Sequence, residues 1–363
     1  MVSRVSIVGA GPAGFALAAD LQNHGLNTLV YSHQTHLRHA KDVMKKGGLQ
    51  LSGMMEGFMY LSLTTDIGEA VEFSRILILT VPSTGQQTIL DELKHYDLRR
   101  HTIIAVPGNL ISLLMDAEIE VGNILETNLS PYSCRMDENN LLVFGRKKVV
   151  FITALRNDVH PRFYDDIQSI FPMRLKWCSS VIEVSLSNVN GVFHPAMMLM
   201  NAGRIESTAG DFLLYHDGLT RSVANTMLAI DQVRMKIGAE FGLRLGSAVD
   251  ISNECYNQGF TDLVDLARNS PPHNKLKAPG DIENRNISED VPDLLVSWHG
   301  LAEKLGIDAS PIAAIIVLAE MATGMDFRKS GRNLRRLHLE GVGRGELVAM
   351  FSPFLATQSE ARL

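Results

Sequence analysis

The stretch Val5-Ser6-Ile7-Val8-Gly9-Ala10-Gly11-Pro12-Ala13-Gly14 decides the fold class of this chain of 363 residues. Val5 to Val8 is a short run rich in β-branched residues, which is typical of a buried parallel strand. From about Ala13 to Asn23, apolar residues recur at helical spacing, and Gly25 ends that helix. Thr28 to Tyr31 predicts a second strand. The N-terminal region is therefore expected to form a strand, a glycine turn, a helix and a strand, the unit from which parallel sheets are built.

The glycine turn has the spacing G-x-G-x-x-G. The first glycine permits a tight turn, the second lets the backbone approach a pyrophosphate, and the third lets the helix pack closely on the strand. Pro12 suits the first turn of a helix, where a backbone N–H has no intrahelical partner, and the free N–H groups of that turn would face the phosphates. The alternative is a turn that only packs a helix on a sheet. We predict dinucleotide binding by Gly9, Ala10, Gly11, Pro12, Ala13 and Gly14.

The end of the second strand bears on which dinucleotide is bound. NAD-binding domains usually place an Asp or Glu there to hold the ribose hydroxyls, whereas this chain has Ser32 and no carboxylate from Thr28 to Lys41. His33, Arg38 and neighbouring basic residues bring positive charge to the place where a 2′-phosphate would sit. The sequence predicts NADP(H), with Ser32, His33 and Arg38 as cofactor-binding residues and NAD(H) as an open alternative. A solvated basic loop would have the same composition.

Composition restricts the class of protein. With 45% hydrophobic residues, the chain is long enough for two domains that each bury a core. A net charge of −6 argues against nucleic acid as a partner, because phosphate backbones are held by clustered Lys and Arg. No segment has the length and pattern of a membrane span or a signal peptide, so we expect no membrane association. The three cysteines lack metal-ligand spacing, and we expect reduced thiols, no metal site and a cytoplasmic location.

The alternation of strands and helices continues beyond the second strand. Segment 41–62 is rich in Gly and Met and is expected to be irregular, Asp66 is expected to cap a helix, and Ile76 to Leu79 is expected to form a buried strand. Ligands bind at the carboxyl ends of the strands in such sheets. We therefore expect Thr80-Val81-Pro82 to lie along the nicotinamide half of the cofactor.

The pattern changes in the second half of the chain. Segments 141–144 and 149–153 are expected to pair as a hairpin, and the boundary between domains is expected near Ser187. Beyond it, periodic apolar segments predict helices, the longest at 220–241, 291–305 and 311–321. The expected organisation is an α/β domain with a doubly wound, mainly parallel sheet over residues 1–186, followed by an all-α domain over residues 187–363.

Ser187 to Pro195 is the first of two polar segments that are candidates for the chemistry. It lies where the first expected domain passes into the second, and such seams are favoured ligand sites. Asn188 could bind a substrate or a cofactor amide there. His194 precedes Pro195, which restricts its backbone to an extended conformation. A lone histidine is usually a structural residue.

The second segment is Asn284-Arg285-Asn286-Ile287-Ser288-Glu289-Asp290. An Arg can clamp a carboxylate through two parallel hydrogen bonds, and an Asp can orient a His. Ser288 is expected to cap the helix that follows. By spacing alone, the segment is equally well a capped helix start with surface ions.

Several motifs give the chain a resemblance to the opine dehydrogenases of the octopine and nopaline type along nearly its whole length. The matching segments are Val81-Pro82-Ser83-Thr84-Gly85-Gln86-Gln87, Ser130-Pro131-Tyr132-Ser133-Cys134-Arg135, Ser187 to Pro195, Ser288-Glu289-Asp290-Val291, Gly331-Arg332-Asn333-Leu334 and Leu339-Glu340-Gly341. The resemblance implies a Rossmann domain followed by an all-helical domain. It also implies a reaction in which an amino acid condenses with a 2-oxo acid before NAD(P)H reduces the imine. Ser32 departs from the acidic pattern of NAD-type members.

The resemblance also implies roles for three residues. His194 matches the catalytic histidine of the family, Asp290 matches its carboxylate partner, and Arg285 matches the arginine that holds the carboxylate of the oxo acid. Hydride transfer to the imine carbon leaves developing charge on nitrogen, and a histidine paired with an aspartate is a suitable proton source. Arg285 would orient the oxo acid for that transfer.

The substrates are specified less closely. The resemblance favours a basic or polar amino acid, arginine first, with pyruvate as the oxo acid. Glu126, Glu254 or Asp262 could receive a cationic amino acid, although each is more simply a surface charge. A homodimer is compatible with the sequence, which does not specify the oligomeric state. The alternatives are an NADP-dependent 2-oxo acid reductase of the ketopantoate type and a non-catalytic NADP-binding sensor. The combination of His194 with segment 285–290 favours an opine dehydrogenase over both alternatives.

Overall fold

The computed structural model describes residues 2–156 and 160–353. The chain divides into two compact units, Met1–Trp177 and Cys178–Leu363. The division falls after Trp177 and not near Ser187, because the helix Val181–Leu186 packs on the long helix Arg221–Glu240 of the second unit. Residues 354–363, at the end of the expected helical domain, lie outside the described ranges.

Two sheets lie in the described part of the first unit. Their strands are β1 (Arg4–Val8), β2 (Asn27–Tyr31), β3 (Leu49–Gly53), β4 (Gly57–Met59), β5 (Ser62–Thr64), β6 (Ile76–Leu79), β7 (Leu98–Ala105), β8 (Val121–Thr127), β9 (Tyr132–Asp137), β10 (Asn140–Arg146), β11 (Val149–Ala154) and β12 (Arg174–Trp177). The larger sheet has the order β12-β11-β8-β7-β6-β1-β2-β5. It is parallel from β8 to β5, and β11 pairs antiparallel with β8. The expected doubly wound, mainly parallel sheet is confirmed.

Helices cover this sheet, as alternating strands and helices require. They are α1 (Pro12–Asn23), α2 (Arg38–Lys46), α3 (Ile67–Phe73), α4 (Ser83–Leu93), α5 (Ile111–Glu118) and α6 (Pro161–Gln168). Asp66 caps α3 as predicted, since its Oδ1 accepts a hydrogen bond from the Gly68 N–H at 2.8 Å. Val5, Ile7, Leu77 and Ile78 are completely buried, because β1 and β6 lie inside the sheet and are covered by protein.

The smaller sheet corrects two expectations. Segment 41–62 is not irregular, because it contains most of α2 and all of β3 and β4, and Leu49 and Leu51 of β3 are buried in the core of the unit. The smaller sheet has the order β4-β3-β10-β9. The predicted hairpin of 141–144 with 149–153 is also wrong, since β10 pairs with β3 and β9 whereas β11 pairs with β8 and β12. β10 buries alternate residues, whereas β11 is buried throughout, as suits a strand inside the larger sheet.

The described part of the second unit is helical, as expected. Its helices are α7 (Val181–Leu186), α8 (Asn190–Met200), α9 (Ala202–Thr208), α10 (Leu214–Gly218), α11 (Arg221–Glu240), α12 (Ala248–Tyr256), α13 (Leu263–Asn269), α14 (Arg285–Ser288), α15 (Val296–Leu305), α16 (Ser310–Thr323), α17 (Phe327–Ser330) and α18 (Arg344–Phe351). A π-helical turn, Val291–Leu295, leads into α15. The three long helices predicted from periodicity correspond to α11, to the π turn with α15, and to α16.

α11 is the central helix of this unit and packs on α7, α8, α13, α15 and α16. Its Arg234 is fully buried and bonds Asp231 through Nε at 2.7 Å. The same guanidinium donates to the carbonyl oxygens of Leu186 and Gly246 at 2.7 and 2.6 Å. A buried charge is tolerated when it is paired and its other donors are satisfied. Arg234 thereby fixes the end of α7, directly before the segment that carries the candidate histidine.

No helix among the described residues has the length and apolar character needed to cross a bilayer.

Candidate functional site

The glycine turn of the first unit joins β1 to α1. Gly9 has φ +130°, a conformation that favours glycine, and Gly11 precedes Pro12 at the first position of α1. A Cβ atom on Gly14 would lie 1.9 Å from the backbone oxygen of Gly9, so the close packing of α1 requires glycine. A Cβ atom on Gly11 would meet no described atom within 4 Å. The turn therefore leaves open space at the N-terminus of α1 and fits the pyrophosphate of a dinucleotide.

Thr80, at the end of β6, holds this turn in place. Its backbone N–H donates to the Val8 oxygen at 2.9 Å, and its hydroxyl donates to the Gly9 oxygen at 3.0 Å. Val81 and Pro82 follow at the same carboxyl edge and lead into α4. Thr80 thus has a structural role that the sequence did not reveal. Contact of Thr80, Val81 and Pro82 with the cofactor stays a prediction.

The end of β2 is less basic than its sequence suggests. Ser32 is 2% exposed, and its hydroxyl donates to the backbone oxygen of His36 at 3.2 Å. Arg38 is exposed at the first position of α2. Burial, with a contribution from Arg38, lowers the pKa of His39, which therefore carries little charge at neutral pH. Arg38 therefore remains as an exposed cation near the end of β2.

Glu92 of α4 brings a carboxylate to the end of β2. Its Oε2 accepts a hydrogen bond from the Tyr31 hydroxyl at 2.6 Å, and its Oε1 lies 3.6 Å from His33 Nε2. Burial, assisted by the bond to Glu92, raises the pKa of Tyr31. Sequence reasoning missed Glu92 because 61 residues separate it from Tyr31. The sequence between Thr28 and Lys41 contains no Asp or Glu, but the folded chain still places the carboxylate of Glu92 beside the end of β2.

His194 and Asp290 of the second unit lie within hydrogen-bond distance of each other. Nδ1 of His194 is 2.6 Å from Oδ2 of Asp290, and the two side chains are 14% and 10% exposed. An ionised carboxylate only accepts hydrogen bonds, so the ring hydrogen on Nδ1 points to Asp290. Such a bond is strengthened where water is largely excluded. The pair can hold the imidazole ring in one orientation and stabilise its protonated form.

His194 lies in a helix and not in the extended segment expected from the following proline. It is part of α8, with Pro195 inside the helix. Proline biases the preceding residue away from helical geometry, but tertiary packing overrides that bias here. Most of α8 is buried, and a Cβ atom on Gly191 would lie 2.8 Å from Trp298 of α15, so glycine permits that close contact.

Asn188 lies at the start of α8 and is fully buried. Its Oδ1 accepts a hydrogen bond from the Asn190 N–H at 3.1 Å. This contact satisfies a backbone donor of the first helical turn. The proposed role of Asn188 in substrate binding stays a prediction, and the contact gives the residue a structural function that does not depend on it.

Arg285 begins α14, four residues before Glu289. The cap of α14 is Asn284, whose Oδ1 accepts from the Asn286 N–H at 3.2 Å. The predicted cap Ser288 is wrong, because Ser288 is the last residue of α14 and the next turn continues from it without a side-chain cap. Arg285 is exposed and makes no ion pair within the described residues. Its guanidinium is available to an incoming carboxylate.

Glu289 is a second acidic group beside the His194–Asp290 pair, and the sequence reasoning gave it no role of its own. Burial raises the pKa of Glu289 to about 7, while Arg285 lowers it and Asp290 raises it. Asp293 and Arg332 act in opposite directions on the same carboxyl group. Glu289, which is adjacent to Asp290 in the chain, therefore exchanges a proton near neutral pH.

The π-helical turn after Asp290 is clamped by the segment Gly331-Arg332. The Arg332 N–H donates to the Pro292 oxygen at 2.8 Å, and Arg332 Nε lies 3.5 Å from Oδ1 of Asp293, with both side chains nearly buried. A Cβ atom on Gly331 would lie 2.5 Å from the Pro292 oxygen. π-helical turns are rare and are frequent at functional sites. The clamp fixes the backbone from which Asp290 reaches His194.

Two acidic side chains suggested as receptors for a cationic substrate are engaged at helix starts. Glu126 is completely buried and accepts from the N–H groups of Leu110 and Ser112 at 2.9 and 2.6 Å. Asp262 accepts from the N–H groups of Val264 and Asp265, in the first turn of α13, at 2.8 and 2.9 Å. These carboxylates stabilise α5 and α13 through the helix dipole and the N-terminal donors.

Among the residues that the structure describes, no group of three or more His, Cys, Asp or Glu side chains is placed to hold a metal ion.

Family models match both halves of the chain. Residues 177–323 match the α-helical domain of NAD/NADP octopine/nopaline dehydrogenases, and residues 4–108 match the N-terminus of NAD-dependent glycerol-3-phosphate dehydrogenase. The chain is 27% identical over 359 residues to vitopine synthase of Allorhizobium ampelinum, covering 96% of this chain and 98% of that protein. It is 26% identical over 356 residues to the protein ocs of Agrobacterium tumefaciens, with the same coverage.

Solved structures share the fold over nearly the whole chain. Octopine dehydrogenase with NADH and L-arginine superposes with a TM-score of 0.73 at 17% identity, covering 96% of this chain and 98% of that one. The same enzyme with NADH and pyruvate gives 0.68 at 18% identity, covering 94% and 96%. Yersinopine dehydrogenase with NADP+ bound gives 0.69 at 14% identity, covering 96% and 98%.

Proposed function

The chain belongs to the opine dehydrogenase family of NAD(P)-dependent oxidoreductases, and we propose on that premise that it reduces the imine formed from an amino acid and a 2-oxo acid. The product is a secondary amine that carries both carboxylates. The observation that carries the proposal is the 2.6 Å contact between His194 and Asp290, two polar residues with little exposure to water. Such a pair suits proton transfer to or from a bound substrate.

In this proposal, residues of the first unit bind the cofactor and residues of the second unit transfer the proton. Gly9 to Gly14 and the N-terminus of α1 hold the pyrophosphate of the dinucleotide. The bound nicotinamide supplies the hydride. His194 would supply the proton for the imine nitrogen, and Asp290 would keep the imidazole ring oriented and balance its positive charge.

Arg285 would hold the carboxylate of the oxo acid. Its side chain is exposed and makes no ion pair within the described residues, and a guanidinium can bind a carboxylate with two parallel hydrogen bonds. Arg285 and Asp290 are five residues apart in the segment formed by α14 and the start of the π-helical turn, so the proposed clamp is close in the chain to the carboxylate that pairs with His194. Fixing the substrate in this way lowers the entropic cost of bringing its carbon to the hydride.

The substrates we propose are arginine, or another basic or polar amino acid, and pyruvate. Support comes from the similarity of the fold to octopine dehydrogenase, which binds L-arginine and pyruvate in the solved complexes. Glu126 and Asp262 hold helix starts, so the proposal of a cationic donor does not rest on either carboxylate.

The cofactor we propose is NADP(H) in preference to NAD(H). Support comes from Ser32 in place of an acidic residue and from the exposed Arg38 beside it. Glu92 acts against the preference, because its carboxylate lies 3.6 Å from His33 Nε2. The balance favours NADP(H), since Glu92 is bonded to Tyr31 whereas Arg38 makes no ion pair within the described residues.

One assay separates this function from its alternatives. NADPH oxidation is followed with pyruvate or 2-oxoglutarate, with and without a pool of amino acids. Oxidation that requires both an amino acid and an oxo acid supports the proposal. Oxidation with the oxo acid alone indicates a 2-oxo acid reductase, and binding of NADPH without oxidation under any condition indicates a sensor.

A further inference from the structure

Both ring nitrogens of His194 are engaged by side chains of its own unit. Nδ1 faces Asp290 at 2.6 Å, and Nε2 lies 3.1 Å from the hydroxyl oxygen of Tyr215. The two rings stand nearly perpendicular, at 87°, so the phenol meets the imidazole through its hydroxyl and not through its face. A proton that leaves Nε2 therefore meets the oxygen of Tyr215 first.

The position of Tyr215 is fixed at both ends of the short helix α10. At the start, the Leu214 N–H donates to the Leu276 oxygen at 2.9 Å. At the end, the side chain of Asn201 donates to the oxygens of Gly218 at 3.1 Å and Met197 at 2.9 Å, which ties α10 to the end of α8. Because α8 also carries His194, these bonds hold the hydroxyl of Tyr215 and the ring of His194 in one rigid arrangement.

The surroundings of Tyr215 keep its hydroxyl neutral. The residue is 7% exposed, and burial, with smaller contributions from Tyr256 and Asp290, raises its pKa well above the usual value. His273 stacks against its ring at 5.0 Å between centroids, and Tyr256 meets His273 edge-on at 5.1 Å. The titratable groups that face Tyr215 are therefore His194, Asp290, His273 and Tyr256. A phenol in this setting releases a proton only as it receives one.

We propose that Tyr215 is a further catalytic residue, whose hydroxyl relays the proton from His194 Nε2 to the nitrogen of the substrate. The inference rests on the proposed function, because it assigns the path of the proton in that reaction. Tyr215 belongs to none of the motifs on which the family resemblance rests, and only the three-dimensional contact reveals it.

The relay balances as one concerted step. Hydride forms the new C–H bond, NADPH is oxidised, and the C=N π pair moves to nitrogen. The nitrogen takes the proton of the Tyr215 hydroxyl while the oxygen takes the proton of His194 Nε2. His194 begins as an imidazolium beside the Asp290 carboxylate and ends neutral, with its Nδ1 hydrogen kept. Two protons move for each turnover, whereas direct donation by His194 would move one.

The number of protons in flight is measured with a proton inventory. The rate at saturating substrates is recorded in mixtures of H2O and D2O, under conditions where 4-deuterated NADPH slows turnover and hydride transfer therefore limits the rate. The relay predicts a curved dependence of the rate on the deuterium fraction. A linear dependence in the unmodified enzyme overturns the relay.

Tyr215→Phe supplies the second arm of the test, with Tyr256→Phe as the matched control. Loss of the Tyr215 hydroxyl is expected to lower kcat by about tenfold or more, to leave the KM of both substrates within about threefold, and to make the proton inventory linear. Tyr256→Phe removes a hydroxyl from the same aromatic cluster and is expected to leave kcat within about twofold. Normal turnover by Tyr215→Phe overturns the relay while the proposed function stands. Absence of amino acid-dependent NADPH oxidation in the unmodified enzyme contradicts the proposed function itself.

Discussion

Asp290 Oδ2 and His194 Nδ1 lie 2.6 Å apart although 96 residues separate them in the chain. Two structural devices bring them together. α8 presents His194 from a largely buried helix, and a π-helical turn clamped by Arg332 fixes the backbone next to Asp290. Because both devices are buried, the pair is organised before any substrate arrives, which is the condition for efficient proton transfer.

Arg285→Ala tests the carboxylate clamp. In the proposed function the arginine would contact the oxo acid already in the bound state, so its loss is expected to raise the KM of the oxo acid by about tenfold or more and to change the KM of the amino acid little. Steady-state kinetics with each substrate varied in turn measures this. Arg285→Lys is the control, because it keeps the charge and loses the two-pronged geometry. Equal increases in both KM values would contradict the assignment.

Asp290→Asn tests the orienting carboxylate. The substitution keeps the side-chain shape but removes the charge beside the imidazolium of His194, so the alkaline limb of the pH–rate profile, where that proton donor is lost, is expected to move to lower pH. The profile of kcat between pH 5 and 9 measures the shift. The control is Asp326→Asn, a helix cap of α17 that lies outside the pair. An unchanged alkaline limb in Asp290→Asn would remove the carboxylate from the mechanism.

Glu289→Gln tests the half-buried carboxyl group. The folded state keeps the Glu289 proton up to about pH 7, whereas an unfolded glutamate releases it near its ordinary pKa. The folded state therefore binds more protons in that window, and the free energy of unfolding falls as the pH rises through it. Glu289→Gln removes this loss, so above pH 7 it is expected to be more stable than the unmodified protein by up to roughly 3 kcal/mol.

Denaturant unfolding at pH 5 and pH 8 measures the effect of Glu289→Gln. Glu303→Gln is the matched control, because the Glu303 side chain is 67% exposed and is expected to leave the pH dependence unchanged. If the two variants behave alike, Glu289 holds no proton at neutral pH.

Ser32→Asp tests the cofactor preference. The introduced carboxylate would repel a 2′-phosphate and accept hydrogen bonds from ribose hydroxyls, so the ratio of kcat/KM for NADPH over NADH is expected to reverse. Ser32→Ala is the control, since it removes the bond to the His36 oxygen without adding charge. A catalytic efficiency with NADH equal to or above that with NADPH in the unmodified enzyme would refute the preference.

The elements that local sequence determines were predicted well. β1, the glycine turn, α1 and the cap at Asp66 depend on neighbours within a few residues, so composition and spacing were sufficient. The smaller sheet was missed because β3 finds its partner β10 about ninety residues further along the chain, as the pairing of Asn140 with Gln50 shows. Strand pairing at such distance leaves no local signal.

The candidate site was predicted in part for the same reason. The resemblance to the opine dehydrogenases pointed to His194, Asp290 and Arg285, whose roles stay predictions. Glu92, Tyr215 and Arg332 act through contacts with residues far away in sequence, and no spacing rule identifies them. Pro195 was misleading, because the bias of a proline on its neighbour is smaller than the packing energy of a buried helix.

His194→Ala tests the central claim most directly. Amino acid-dependent NADPH oxidation is measured together with the dissociation constant of NADPH, and His299→Ala serves as the control for loss of an imidazole elsewhere in the second unit. If His194 is the proton source, its loss lowers kcat by about a hundredfold or more while NADPH binding stays within about twofold. A His194→Ala enzyme that turns over at a near-normal rate would contradict the account and return this histidine to a structural role.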